Sequence, residues 1–75
     1  MITVSFEDNG AIVNLYVDDL GIDELVETLT QMRGKFEHEH LMTSSWGGVG
    51  LDDFTEKPGG VEKAIQCINI RANHL

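Results

Sequence analysis

The chain has 75 residues and carries 13 acidic residues against 5 basic ones, which gives a formal net charge of −8. This length excludes a second hydrophobic core, so we predict a single domain over residues 1–75, of marginal stability because so short a chain buries only about 60% of its surface. The negative charge disfavours binding to nucleic acid or to a membrane surface, because it repels phosphates and anionic lipids. It either speeds encounter with a basic protein partner or only keeps a small domain in solution.

Cysteine usage and hydropathy indicate the compartment. Cys67 is the only cysteine, so no internal disulfide forms and a reducing environment suits the chain. The sequence shows no charged-then-apolar leader, and no apolar run approaches the roughly 20 residues that span a bilayer. We therefore predict a cytoplasmic protein.

Residues 2–17 have the pattern of a β-hairpin. Asn9-Gly10 is a turn dipeptide that tolerates positive φ at both positions, and it fixes the register of the flanking strands. The register places six apolar side chains on one face, paired as Phe6 with Val13, Val4 with Leu15, and Ile2 with Val17. Ile12 and Tyr16 fall on the opposite face, where we expect them to be partly exposed.

An amphipathic helix is predicted to follow the hairpin. Asp18 and Asp19 supply capping groups at its start, and the apolar residues behind them recur at helical spacing. These apolar residues are Ile22, Leu25, Val26, Leu29 and Met32. Gly34 fits a left-handed stop after the last turn. Because only one side of this helix is apolar, we expect it to lie on the apolar face of the hairpin.

Two further strands are predicted, with a long loop between them. Residues 35–43 alternate in direction, with Phe36, His38, His40 and Met42 facing one way. Residues 44–60 have no period and contain five glycines, which is typical of a functional loop. Residues 61–72 form the last strand. Its apolar side chains point to both faces, which indicates a bulge or a strand partly covered on both sides.

The element order ββαββ predicts an α+β fold. We expect one four-stranded antiparallel sheet in the order 2-1-3-4, in which the first strand lies between the second and the third. A single helix covers one face of this sheet and leaves the other face open. One alternative for that open face is a homodimer, with Ile12 and Tyr16 at the contact.

His38 and His40 form the first candidate site. Because they lie two apart on a strand, both imidazoles project to the same side and suit two ligands of one metal ion, with His74, Asp52 or Asp53 as a third. The alternative, which we favour, is that both rings make structural hydrogen bonds at the end of the sheet. We therefore predict no metal site and no cofactor.

The sequence predicts no catalytic residue. Thr43, Ser44 and Ser45 lie near the histidines, but a nucleophile needs an oriented base and an oxyanion hole, and no glycine-x-serine-x-glycine elbow is present. Cys67 lies in an apolar strand and is expected to be an inert core residue. The chain is therefore predicted not to be an enzyme.

Trp46-Gly47-Gly48 is the more distinctive motif. Adjacent glycines permit a tight backbone path, and the indole supplies a large apolar anchor. The indole is either the hot spot of a binding surface or a plug that folds back over a core with few aromatic residues. We favour the plug, although one residue can do both.

A short motif links the third strand with the loop that follows it. It reads His38-x-His40-Leu41-Met42-Thr43, followed by Trp46-Gly47-Gly48 and a later aliphatic strand. This motif resembles the immunity protein 32 family of bacterial polymorphic toxin systems, small α+β proteins whose proposed role is to neutralise a cognate toxin made by the same cell. The resemblance implies toxin binding through His38, His40, Trp46, Gly47 and Gly48, and it supplies no catalytic residue. The loop after Gly48 departs from the family pattern.

Overall fold

The structure is a computed structural model, and it describes residues 1–34, 38–56 and 58–72. The strands in this part of the chain are β1 (Ile2–Glu7), β2 (Ile12–Val17), β3 (His38–Met42), β4 (Lys63–Ala64) and β5 (Cys67–Arg71), and the helix is α1 (Asp19–Met32). The predicted α+β class is confirmed. Over the same residues, no helix has the length and apolar character needed to cross a membrane.

The hairpin forms in the predicted register. β1 and β2 pair antiparallel through all three predicted apolar pairs. Three residues of the turn have positive φ, where the sequence predicts two. Asp8, Asn9 and Gly10 have φ values of 53°, 54° and 91°. Aspartate, asparagine and glycine are the residues that tolerate this region best. Ile12 and Tyr16 are exposed, as predicted.

Helix α1 begins and ends at the predicted signals. The Asp18 side chain accepts a hydrogen bond from the Gly21 amide at 2.8 Å, which satisfies one of the free donors at the helix start. Beyond the other end, Gly34 has a φ of +77°, as a left-handed stop requires. Gly21 and Met32 are buried, and Leu25 packs against the core.

The helix covers the hairpin less completely than predicted. Ile22, Val26 and Leu29 belong to the predicted apolar stripe, but their side chains are exposed. The inward side of α1 carries Gly21, Leu25 and Met32, of which Leu25 and Met32 belong to the predicted stripe. The helix therefore turns one edge of its apolar stripe toward the core and leaves the other edge in solvent.

The predicted four-stranded sheet in the order 2-1-3-4 is wrong. The described strands form two antiparallel sheets: sheet A has the order β2-β1-β4, and sheet B pairs β3 with β5. β1 has a neighbour on each side in sheet A, as the predicted order requires. Its second neighbour is β4 rather than β3.

A break in the last predicted strand explains this arrangement. The sequence predicts one strand over residues 61–72, whereas the chain breaks between β4 and β5 at Ile65 and Gln66. The Ile65 amide donates to the Val4 carbonyl of sheet A at 2.8 Å. The next carbonyl, that of Gln66, accepts from the Thr43 amide beside sheet B at 2.9 Å. One predicted strand therefore serves two sheets, and β3 pairs with β5 instead of β1.

The core joins the two sheets and the helix. Its buried members are Ile2 and Val4 from sheet A, Leu41 from sheet B, and Leu51 from the loop between β3 and β4. Partly buried apolar residues pack around them, namely Val17, Leu25, Ile65, Ile68 and Ile70. These residues are all aliphatic, so over the residues that the structure describes the core cluster contains no aromatic side chain.

Candidate protein-binding site

The Trp46 loop, defined here as residues 43–50, follows directly on β3. Its backbone forms a 3-10 turn over Ser44–Trp46. Within that turn the Trp46 amide donates to the Thr43 carbonyl at 3.1 Å, and the Gly47 amide donates to the Ser44 carbonyl at 2.8 Å. Gly47 closes the turn with a φ of +78°, a conformation that costs glycine no Cβ clash. The indole is thus carried on a turn that local hydrogen bonds define.

A hydrogen-bond network attaches this loop to two neighbouring segments. The buried Thr43 donates from Oγ1 to Oε1 of Gln66 at 2.5 Å. Ser44 Oγ donates to Oδ2 of Asp53 at 3.0 Å, and the Ser45 hydroxyl donates to the same carboxylate. The hydrogen bonds that Asp53 accepts, above all that from the Ser45 hydroxyl, hold the pKa of Asp53 below its ordinary range. The carboxylate is therefore ionised and accepts hydrogen bonds at neutral pH.

These contacts give the loop hydroxyls a structural role. The hydroxyls of Ser44 and Ser45 donate to a carboxylate, and that of Thr43 donates to an amide oxygen. Each bond fixes the path of the loop on which Trp46 sits. The absence of catalytic residues stays a prediction.

The return of the loop past β3 requires glycine. The Met42 amide donates to the Val49 carbonyl at 2.8 Å, and the Leu51 amide donates to the Met42 carbonyl at 3.2 Å. Between them, a Cβ atom added at Gly48 would overlap the Cβ of Met42. Gly48 therefore allows the close approach of loop and strand. Partner binding by the two glycines of the motif stays a prediction.

Trp46 is exposed, with 63% of its surface accessible. The favoured prediction, that the indole plugs the core, is therefore wrong. An exposed tryptophan on a hydrogen-bonded loop is typical of a protein-binding hot spot, because little conformational entropy is lost when the partner arrives. Val49, in the same loop, is also exposed and extends the apolar surface.

His38 and His40 lie exposed on β3, with ring centroids 4.9 Å apart and ring planes nearly perpendicular at 85°. Nδ1 of His40 contacts Oδ1 of Asn69, which lies directly opposite on β5. For His40, this contact agrees with the structural hydrogen bond that the sequence predicts. Both rings remain accessible on the strand that leads into the Trp46 loop.

A metal site at this histidine pair would need a third ligand. Among the residues that the structure describes, no three His, Cys, Asp or Glu side chains are grouped to hold a metal ion. Two candidate ligands have other contacts, since Asp52 Oδ2 accepts from the Ile2 amide at 2.9 Å and Asp53 accepts from the serines. The third candidate, His74, lies outside the described residues.

The structure also has a cleft beside the Trp46 loop, which the sequence does not predict. It has a volume of about 220 Å³ and lies between α1 and β3. Its lining residues are Ile2, Leu25, Leu41, Gly50, Thr28, Glu24 and Glu27. The sequence does show that two glutamates flank Leu25 on the predicted helix. It does not show that this flank faces β3, because that depends on the tertiary fold.

These features define a small acidic α+β protein with an exposed aromatic loop next to an acidic cleft. Comparison of the chain with family models, with curated proteins and with solved structures finds no match. The resemblance to the immunity protein 32 family stays a prediction that rests on the motif residues alone.

Proposed function

We propose that this chain is a non-enzymatic binding protein that docks on a basic protein domain and acts as an immunity protein against a cognate bacterial toxin. The Trp46 loop is the centre of the docking surface. The acidic cleft lies on the Leu41 side of β3, and His38 and His40 lie on the other face of the same strand. Binding blocks access to the active site of the toxin. The choice of a toxin as partner rests on the motif resemblance, whereas the choice of surface rests on the exposed loop and the cleft.

The observation that carries the proposal is the exposure of Trp46. Its side chain is the only indole in a 75-residue chain, and burying so large an apolar group would stabilise the fold by on the order of 3 kcal/mol. The loop instead holds the indole in solvent through the contacts of Thr43, Ser44 and Ser45. A partner that covers the indole would recover this stabilisation as binding energy.

The cleft favours a cationic side chain as the partner's second anchor. Glu24 and Glu27 line it with carboxylates, and Leu25 and Leu41 line it with apolar groups. This combination fits an arginine or lysine, whose methylene stem packs on apolar walls while its charged head meets the carboxylates. The net charge of −8 accelerates the encounter with a basic domain.

Calorimetry with the toxin domain encoded beside this gene tests the proposal. We expect a stable complex and protection from killing on co-expression. Trp46→Ala should raise the Kd about 30-fold or more, the loss that a hot-spot residue causes, and should leave the free protein folded because the indole is exposed. Val61→Ala, at an exposed valine outside the loop, is the matched control and should bind as the wild type does.

Two results would overturn this proposal. The first is unchanged killing on co-expression, with no complex on a sizing column. The second is a Trp46→Ala variant with wild-type affinity, which would place the contact on another surface. Zinc titration, followed by the NMR shifts of His38 and His40, distinguishes protein binding from the metal-binding alternative. A shift of these signals at equimolar zinc would favour metal binding.

A further inference from the structure

Strand β2 lies at the edge of sheet A with its outer side open. In the part of the chain that the structure describes, β2 pairs with β1 alone, so its other edge offers amide and carbonyl groups for a further strand. Natural edge strands are commonly protected by lysine, proline, a bulge or a short length. β2 spans the six residues Ile12–Val17 and contains neither lysine nor proline.

The side chains of β2 are apolar and exposed on both faces of the sheet. Exposed fractions are 45% for Ile12, 59% for Val13, 49% for Leu15 and 42% for Tyr16. Val13 and Leu15 lie on the face that also carries the core residue Val4, and Ile12 and Tyr16 lie on the opposite face. An open edge with apolar groups on both faces is a template for strand addition.

The charge distribution favours a second copy of this chain as the occupant of the edge. Two molecules with a net charge of −8 each repel one another over most of their surfaces. Residues 9–17 are a run of nine without a charged side chain. The carboxylates of Glu7 and Glu62 lie beside the strand, where they accept hydrogen bonds from Asn14 and Tyr16 of their own copy. The side chains of the strand itself offer no charge to a basic partner.

We infer that the protein forms a homodimer through antiparallel pairing of β2 with β2 of a second copy. Sheet A of each copy then joins a continuous six-stranded sheet across a two-fold axis. In an antiparallel pair, directly opposite side chains point to the same face of the sheet. The two-fold axis therefore passes through a residue position, where that residue faces its own copy, and not between two residues. With Asn14 on the axis, Ile12 faces Tyr16 of the second copy and Val13 faces Leu15.

This register is the one that pairs the four exposed apolar residues with each other. Moving the axis to Leu15 would place Ile12 opposite Asp18 of the second copy and would bury a carboxylate beside an apolar side chain. Stable interfaces bury about 800 Å² on each partner, and we expect the exposed apolar residues of α1, namely Ile22, Val26 and Leu29, to add to the contact made by the strand.

Light scattering over a wide concentration range tests the homodimer. We expect a monomer–dimer equilibrium in the wild type, and Leu15→Lys should raise the dimer dissociation constant roughly tenfold or more, because it opposes a lysine to Val13 at two symmetric places. Val49→Lys introduces the same charge at an exposed valine of the Trp46 loop and should leave the equilibrium unchanged. Val13→Lys serves as a second edge variant if circular dichroism shows that Leu15→Lys does not fold.

Hydrogen exchange supplies a readout that only strand pairing produces. Protection of the β2 amides should increase with protein concentration in the wild type and should not increase in the folded edge variant. A strict monomer at the highest concentration would overturn the inference, as would a dimer that the edge variants leave intact. Protection of β2 that appears only when the toxin domain is added would assign the edge to that domain and would also overturn the homodimer.

Discussion

Gly48 lies where the Trp46 loop passes back over β3, and its lack of a side chain is a packing requirement. A Cβ atom at this position would overlap the Cβ of Met42, whose backbone is itself hydrogen-bonded to Val49 and Leu51. Neither the loop nor the strand can move away without breaking those bonds. The glycine therefore fixes how closely the loop that carries the indole approaches the sheet.

Gly48→Ala should accordingly destabilise the fold. We expect the free energy of unfolding to fall by about 1–3 kcal/mol, the cost typical of an added methyl group in a filled space, as measured by urea unfolding. Gly59→Ala is the matched control, because a Cβ there has open space around it, and its effect should stay within about 0.5 kcal/mol. Equal stability of the two variants would mean that the loop adapts to a side chain at position 48.

Among the secondary-structure elements, β4 is the shortest and has a side-chain anchor next to it. Oε1 of Glu62 accepts hydrogen bonds from Ser5 Oγ at 2.6 Å, from Tyr16 Oη at 2.6 Å and from Asn14 Nδ2 at 2.9 Å. One carboxylate thereby links the residue before β4 to both strands of the hairpin. The hydrogen bonds from Ser5 and Tyr16 hold the pKa of Glu62 below its ordinary value of 4.5, and the bond to Glu62 raises the pKa of Tyr16 above 10.0.

The lowered pKa of Glu62 predicts how stability depends on pH. A carboxyl group whose pKa falls on folding stabilises the native state above its unfolded value, here 4.5, and loses that contribution as the pH drops through the folded value. Glu62→Gln should therefore be less stable than the wild type at neutral pH, and the difference should shrink below pH 4.5. Urea unfolding at a series of pH values measures this, with Glu56→Gln as the exposed control. A difference that is constant with pH would show that the charge of Glu62 contributes nothing.

How far the sequence predicts these elements depends on whether the information is local. The hairpin register follows from Asn9-Gly10 and from alternation in the flanking strands, so it is predicted correctly. The helix limits follow from Asp18 and Gly34 for the same reason. The two-sheet arrangement does not follow from local sequence. The break at Ile65 and Gln66 appears in the sequence only as irregular alternation of apolar residues. That irregularity does not indicate that β4 pairs with β1 and β5 with β3.

The candidate site shows the same division. The sequence singles out the Trp46 loop because glycines and a lone aromatic residue stand out by type, and it identifies the histidine pair by spacing. Whether the indole is buried depends on how much space the core leaves, and the aliphatic core closes without it. The cleft beside Leu25 and Leu41 arises only when α1 and β3 are brought together, so no segment of the sequence contains it.

For the molecule as a whole, the excess of 13 acidic over 5 basic residues opposes compactness. Folding brings these carboxylates closer together than they are in the unfolded chain, so their repulsion subtracts from a stability that is already limited by the small core. The same repulsion disfavours contact between copies at charged surfaces, which is one reason why we infer that two copies pair through β2. Charge therefore limits stability and also restricts where contacts form.

Salt should stabilise this protein at neutral pH. We expect the free energy of unfolding to rise by on the order of 1 kcal/mol between about 0.01 and 0.15 M NaCl, because the Debye length shortens from about 30 to about 8 Å. Urea unfolding of the Leu15→Lys variant, at a fixed protein concentration, measures the effect with dimer formation suppressed. Near the isoelectric point of about 4.5 the net charge vanishes, so the rise should disappear there. A stability that falls with added salt at neutral pH would instead show that attractive ion pairs outweigh the general repulsion.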